Sequence, residues 1–319
     1  MTVYHNRENF VINSLNSLIN QTYKEIEIIV INDGSTDNTL EQINKLQDDR
    51  IKIIDHNNMG FVASVKKGIE ISKGEKIAIH GSGDYSSTRR IEKQIEYLKK
   101  NPSIGVVGCY VKKKDITNNR ESYHKPFIPK NNLIEYLKNR NPFLHGEVMF
   151  DKNLYNQVGG YRVFFKYAQD RDLWMRMASI TKFGCVPEFL YTRYNLPESV
   201  SKSPEKVVMQ KVFNEISRQC LESKDKGEKD LIEKYGQYAP FFLNNNKRLS
   251  KEILKKSIDE YHMNNLVNAY KINEINIQKK RTTLNTLFKI FITFSLKSKT
   301  FKDVFEKIIK FSKFFSNKK

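Results

Sequence analysis

Cysteine is scarce in this chain: three residues, Cys109, Cys185 and Cys220, with no C-x-x-C spacing. An odd count without paired spacing argues against a disulfide framework and a thiolate zinc site, and points to a reducing, cytoplasmic setting. Long apolar runs are missing too. No stretch reaches the roughly 18 residues of a membrane-spanning helix, and no charged, apolar and small-residue succession opens the chain as a signal peptide does. No G-x-G-x-x-G follows the first strand, which disfavours a dinucleotide dehydrogenase. Acidic residues are also in deficit, 36 against 55 Lys and Arg, for a formal net charge of +19. Such an excess invites a nucleic-acid reading, because clustered bases neutralise phosphates. Its distribution opposes that reading: Lys279 to Lys319 holds twelve Lys or Arg against Asp303 and Glu306, a net of +10 in 41 residues. Over half of the excess therefore sits in the tail, and nucleic acid is not an expected partner.

What is present is length enough for one large or two moderate domains, and a regular alternation of patterns. ENFVINSLNSLI (8–19) places Phe10, Val11, Leu15, Leu18 and Ile19 on one helical face. EIEIIVI (25–31) is apolar without alternation, as a strand covered on both faces by helices should be. Strand RIKIID (50–55), helix FVASVKKGIEIS (61–72), strand EKIAIH (75–80), helix RIEKQIEYLKK (90–100) and strand IGVVGCYV (104–111) follow. Short connections between alternating strands and helices predict a doubly wound α/β layer whose ligands sit beyond the carboxyl ends of the strands. NDGS (32–35) and HGSGD (80–84) both lie at such ends. Beyond residue 112 come an apolar stretch FLHGEVMF (143–150), a turn VGGY (158–161) and a helix AQDRDLWMRMA (168–178). After about 215 helical periodicity rich in Lys and Asn takes over. In FKDVFEKIIKFSKFF (301–315), apolar and basic faces oppose one another, which fits an interfacial helix beside anionic lipid or a terminal helix docked on the body.

Several of these stretches carry a common signature. EIIVINDGSTDNT (27–39), with Thr2 and Tyr4, the spacing to HGSGD, and AQDRDLW, resembles the family 2 glycosyltransferases over roughly residues 1–205. The resemblance implies an inverting enzyme that uses a nucleotide-sugar donor. It also implies the A-type glycosyltransferase (GT-A) fold, a Rossmann-like mixed sheet flanked by helices, here followed by a mainly α-helical C-terminal extension. We accordingly expect a nucleotide-sugar-binding half at 1–110, an acceptor and catalytic-base half at 111–215, and a basic helical extension at 216–319.

Asp33, at a strand's carboxyl end, is of a type to accept from the N–H of a base; its alternative is a plain helix-capping turn around Gly34. In the family the second acid of this element holds the nucleobase, and Asp33 matches it, with Asn32 where another Asp is more usual. Thr2 and Tyr4 match a threonine and an aromatic ring that contact the nucleoside. Met1 begins almost at the end of that first strand, so either the strand is short or the start lies further upstream.

A diphosphate leaving group calls for charge neutralisation, which a divalent cation held by carboxylates supplies. The family writes this element with paired acids. Here Gly81 and Gly83 take acid positions and Asp84 matches the last acid, so the expected cofactor is Mg²⁺ or Mn²⁺ on Asp84, with Gly83 lining the diphosphate. His145 matches a family histidine near the metal. Inversion requires a carboxylate opposite the leaving group; the resemblance assigns that base to Asp170, preceded by Gln169. Gly159, Gly160 and Tyr161 match the loop before this helix, with Gly160 near the donor sugar. Trp174 is read as a core residue, with sugar stacking as the alternative. Asp172 and Arg176, four apart, read as an ion pair. Asn58 and Gly60 match an N-x-G element, and Arg193 in YTRYNLPESVS (191–201) is placed as a phosphate contact.

The expected function is transfer of a sugar to a hydroxyl of a glycan or lipid-linked acceptor, at the cytoplasmic side and peripherally on an anionic membrane through the C-terminal helix. The competing expectation is a degenerate nucleotide-binding or membrane-adaptor module, suggested by the two glycines in the acid-bearing loop and by the basic tail.

Overall fold

The structure is a computed structural model, and it describes residues 1–116, 119–195, 203–244, 247–298 and 300–301. Contacts divide the chain into two units, Met1–Pro197 with Cys220–Gly236, and Glu198–Gln219 with Gln237–Lys319.

The first unit begins with three parallel strands in the order β1-β2-β3: β1 (Thr2–Tyr4), β2 (Ile28–Asp33) and β3 (Ile51–His56). Every residue of β2 is buried. Its unbroken apolar run has a direct cause. Ile28 and Val30 face Val11, Leu15 and Leu18 of helix α1 (Val11–Ile19), together with Ile43 of α2 (Thr39–Asn44). Ile29 and Ile31 face Val62, Val65 and Ile69 of α3 (Phe61–Ile71) on the other side, so a polar residue at either parity would be stranded between layers.

A second, mixed sheet runs β4 (Lys76–Ala78), β8 (Met149–Asp151), β6 (Ile104–Asp115), β9 (Lys182–Asn195), β5 (Tyr85–Ser86), with β7 (Arg120–His124) paired to β6. Met1 ties the two sheets: its amine donates to the Ala78 carbonyl (2.8 Å) and its carbonyl accepts from His80 N (2.9 Å). Helix α4 (Arg90–Lys100) covers one face of β6 and β9 through Ile91 and Leu98. The opposite face carries Phe143, Trp174 and Phe183, with α7 (Gln169–Met177) above it. Helices α5 (Leu133–Asn139) and α6 (Lys152–Gln157) complete the layer.

FLHGEVMF is apolar without being extended throughout. Only Met149 and Phe150 join β8; His145, at φ +83°, turns the chain, and Glu147 Oε1 closes a tight loop by accepting from Leu144 N (2.8 Å).

The chain returns to this unit after residue 219. Asp230 forms an ion pair with Arg162, which also grips Asp172, and Leu221 packs into the main core. By contacts, 220–236, part of the expected extension, belongs with this unit. After α8 (Pro204–Asp225) and α9 (Leu231–Tyr235) come, in the second unit, α10 (Lys247–His262), α11 (Leu266–Lys279) and α12 (Thr283–Lys297), which pack around Tyr261, Ala269, Phe288 and Ile292. The tail helix expected at 301–315 lies outside the described residues from 302 onward.

Candidate active site

The loops at the carboxyl ends of β1, β2 and β3 converge. Asp33, the last residue of β2, is almost wholly buried, and its Oδ1 accepts from Met59 N (2.8 Å). His5 Nδ1 donates to the Asp33 carbonyl (2.9 Å), His56 Nδ1 stands 3.6 Å from the carboxylate, and the Asn58 side chain lies against the His5 ring. Gly34 sits at φ +65°, and a Cβ there would come within 2.4 Å of Asn58 N. That clash is why the two loops close only over glycine. His5 and His56 were not legible as site residues, since a histidine beside a strand end has no spacing signature of its own. Thr2 and Tyr4 are placed differently from expectation. Tyr4 is fully buried with its hydroxyl among Thr2, Ser14 and Gly83, and Thr2 is equally enclosed. Neither offers surface to a nucleoside; both support the loop from beneath.

The HGSGD turn is built around a buried polar network. His80 Nε2 donates to the Asp84 carbonyl (3.1 Å), its Nδ1 meets Ser86 Oγ (3.1 Å), and Arg90 donates to that same hydroxyl (3.0 Å) and to the Ile79 carbonyl (2.8 Å). Burial and the neighbouring guanidinium hold His80 well below its usual pKa, so it stays neutral. Gly83, at φ +92°, lets its N–H reach Ser14 Oγ (3.2 Å). Asp84 accepts from the Tyr191 hydroxyl at Oδ2 (2.6 Å) and from Tyr194 N at Oδ1 (3.0 Å). Burial lifts its carboxyl to about 6, opposed by these two donors and by the Arg193 and Arg90 charges. A Cβ on Gly81 would stand 2.4 Å from Asp84 Oδ2, so the bare turn is what admits the carboxylate.

Asp170 is the second residue of α7 and accepts from Asn141 Nδ2 at Oδ2 (2.7 Å). Ala168, at φ +59°, turns the chain sharply into the helix. His145 Nε2 meets the Tyr161 hydroxyl (2.7 Å), and its ring packs edge-on against Phe61. Burial lowers the pKa of His145 while the nearby Asp170 charge opposes that drop. The next residue, Gly146, closes the circuit: a Cβ there would fall 2.2 Å from the Tyr191 hydroxyl that binds Asp84. Gly146 thus lies against the tyrosine that binds Asp84, and His145 is near enough to Asp170 for its charge to act there.

Gly160, at φ +64°, backs onto the Tyr155 ring rather than opening to the site, and Gln169 begins α7 beside Asp170. Trp174 is 0% exposed and meets Phe143, Phe150 and Phe183 edge-on, so it serves the core and presents no face to a sugar. Asp172 pairs with Arg176 (2.6 Å) as expected, and with Arg162 in addition. Arg193 sits on β9 close enough to Asp84 for its charge to act there. Glu147 escaped the sequence reading altogether. It is fully buried, its Oε2 has no partner among the described residues, and burial lifts it to about 7. A cavity of about 660 Å³ lies among Glu25–Ile29, Ser72 and Lys76–Ala78, and neither Asp84 nor Asp170 lines it.

Among the described residues no three His, Cys, Asp or Glu side chains gather to cage a metal. His145 spends its Nε2 on Tyr161 rather than joining Asp84. Asp84 alone fits a cation only as a single protein carboxylate, each oxygen keeping a lone pair beyond its one hydrogen bond, with water and phosphate oxygens completing the shell.

A mixed sheet flanked by helices, with loops converging at the carboxyl ends of its parallel strands, is the scaffold of a GT-A glycosyltransferase. The profile described as "Glycosyl transferase family 2" matches residues 1–171, and the chain belongs to that family. An uncharacterized glycosyltransferase of Haemophilus influenzae is 34% identical over 214 residues, 62% of this chain and 62% of that protein. The match spans less than two thirds of that relative. Among solved structures, S. aureus TarS 1-349 in complex with UDP-GlcNAc aligns with a TM-score of 0.57 at 15% identity, covering 87% of this chain and 80% of that one. A mannosyltransferase from Pyrobaculum calidifontis in complex with GDP-Man and Mn²⁺ aligns at 0.54 and 12% identity, covering 95% and 81%. At these identities the two structures support the fold.

Proposed function

We propose that this chain is an inverting glycosyltransferase that moves a sugar from a nucleoside-diphosphate sugar to a hydroxyl of a glycan or lipid-linked acceptor. The observation that carries the reading is the His145–Gly146 segment, in which Gly146 lies against the tyrosine that binds Asp84 and His145 feels the Asp170 charge. Asp170 takes the acceptor hydroxyl's proton as that oxygen attacks the anomeric carbon. The bond from that carbon to the diphosphate oxygen breaks on the opposite face, and the nucleoside diphosphate leaves with the bonding pair. Asn141 orients the base by donating to Oδ2. Asp33 holds the base of the nucleotide at the mouth of β2, and Gly83 and Arg193 line the diphosphate. A Mg²⁺ or Mn²⁺ on Asp84, when bound, supplies charge neutralisation to the leaving group. The nucleotide-sugar complexes of TarS and the mannosyltransferase support the donor class.

Release of nucleoside diphosphate from a panel of UDP-, GDP- and dTDP-sugars tests this. Turnover of one of them is expected, and none of them being consumed would refute it. The reduced acid loop favours one rival, a nucleotide-binding module without catalysis. Calorimetry with UDP or GDP separates the two, because the enzyme binds more tightly with Mn²⁺ present and the module need not.

We also propose peripheral attachment at the inner face of an anionic membrane. On α12, Leu284, Leu287, Ile290 and Phe294 form an exposed apolar stripe. Between Glu274 and Asp303 the chain carries seven Lys or Arg and no acid, a composition suited to an anionic interface. Among the described residues no helix is long and apolar enough to cross a membrane.

A further inference from the structure

The far ends of β6, β7 and β9 present a surface that nothing in the reaction above uses. Side chains of one parity along β6 share a face. On that face Gly108 lies under the Phe143 ring, where a Cβ would come within 2.4 Å, and Tyr110 and Lys112 follow. Tyr110 pairs in register with Phe189 of β9, and Lys112 with Tyr123 of β7. The three rings meet as an angled shelf: Tyr110 and Tyr123 each stand 5.3 Å from Phe189, at 60° and 70°. Tyr123 is 60% exposed and Phe189 42%. Lys125 Nζ lies 5.5 Å over the Tyr110 ring and 5.8 Å over that of Phe189. No carboxylate among the described residues forms an ion pair with Lys125 or Lys112; Glu121 pairs with neighbouring Lys114 (2.9 Å) and also feels the Lys112 charge.

Two connections place this shelf beside the proposed base. His124 Nε2 donates to the Pro142 carbonyl (2.7 Å), fastening β7 to the loop whose previous residue, Asn141, holds Asp170. Phe143, the next residue of that loop, packs on the same sheet face two positions before Tyr110. A contiguous exposed aromatic patch is costly to leave in water and marks a binding surface. Aromatic faces accept the apolar C–H faces of pyranose rings, and unpaired ammonium groups beside them select for negative charge.

We infer that Tyr110, Tyr123, Phe189, Lys112 and Lys125 form an outlying acceptor platform that binds an anionic sugar chain, one bearing uronate or phosphate groups, and feeds its end toward Asp170. This inference rests on the glycosyltransferase reading for its direction, and on the shelf alone for binding. A single-stranded nucleic acid stacks on aromatic rings too. The sugar chain is favoured because the shelf is joined to the base-bearing loop.

Titration calorimetry on the full chain tests it, with a hexasaccharide of alternating uronate and N-acetylhexosamine as probe. Tyr123→Ala and Lys125→Gln are each expected to weaken binding about tenfold. Phe189→Leu, which keeps apolar bulk and loses the ring, should do the same, so the loss is not one of folding. Unchanged thermal midpoints accompany these changes. An uncharged N-acetylglucosamine hexasaccharide is expected to bind at least tenfold more weakly. Equal affinity of the three variants and the parent, equal affinity for the uncharged chain, or tighter binding of a thymidine hexanucleotide would each overturn the inference. Donor turnover without acceptor should stay within twofold in all three variants. A parent that turns over no donor yet binds the uronate chain through these residues would sink the catalytic reading and leave the platform standing.

Discussion

At the scale of single residues, burial sets the chemistry. Cys109 is wholly enclosed and its thiol is pushed far above the ordinary range, while burial takes Cys185 to about 12 and Cys220 to about 11. Protonated thiols are poor nucleophiles. An aromatic disulfide reagent at pH 8 is therefore expected to titrate none of the three in the native chain and all three in guanidinium; rapid native labelling would contradict this. Glu147 offers a second test. Its carboxyl titrates near 7 in the fold and near the ordinary glutamate value when unfolded, so the folded state binds more protons between those limits and this residue's contribution to stability falls as pH rises. Glu147→Gln keeps an acceptor for Leu144 N and removes the charging cost. Its thermal midpoint relative to the parent should climb from pH 5 to pH 8. A difference that stays flat or shrinks would show that the carboxyl is not held in this way.

At the scale of elements, legibility followed the number of layers a segment touches. β2 was readable because helices on both sides demand apolar residues at both parities. α1 and α4 were readable because each has one apolar stripe. The 143–150 stretch was legible as apolar but not in its conformation, because apolarity reports burial and not extension. Its loop is imposed by the left-handed turn at His145 and by the Glu147 side chain, both tertiary effects. Tyr4 shows the same limit, since an aromatic residue's identity does not say whether its ring faces a ligand or the core; Trp174, flanked by apolar neighbours, was read as core and is buried there. The Asp172–Arg176 pair was visible in the four-residue spacing, but Arg162 and Asp230 join it from distant chain and had no local signal. Asp172 is buried, so Asp172→Ala takes the carboxylate from Arg176 and leaves Arg162 with Asp230 alone; a loss of about 3–5 kcal/mol is expected, read as a lower urea midpoint with unchanged slope. A loss below about 1 kcal/mol would mean the network is screened like a surface pair.

At the scale of the whole chain, the family match ends at residue 171, and the helical part beyond 236 lies outside it. The basic, acid-free stretch around α12 was legible as composition; its exposed apolar stripe was not, since helical spacing gives two apolar faces and only packing decides which one is covered. Flotation with vesicles containing anionic lipid is expected to carry the full chain upward, and Leu287→Glu with Phe294→Glu to leave it behind. Equal flotation of the two would discard the membrane proposal.

The account stands on Asp84 and Asp170 serving one bound donor. The most direct test compares the parent with Asp170→Asn on the donor that the panel identifies, measuring sugar transfer and nucleotide binding side by side. Transfer should fall by roughly 10²–10⁴-fold with nucleotide affinity unchanged, as loss of a positioned base requires. Transfer that survives the substitution at the parent's rate would contradict the account.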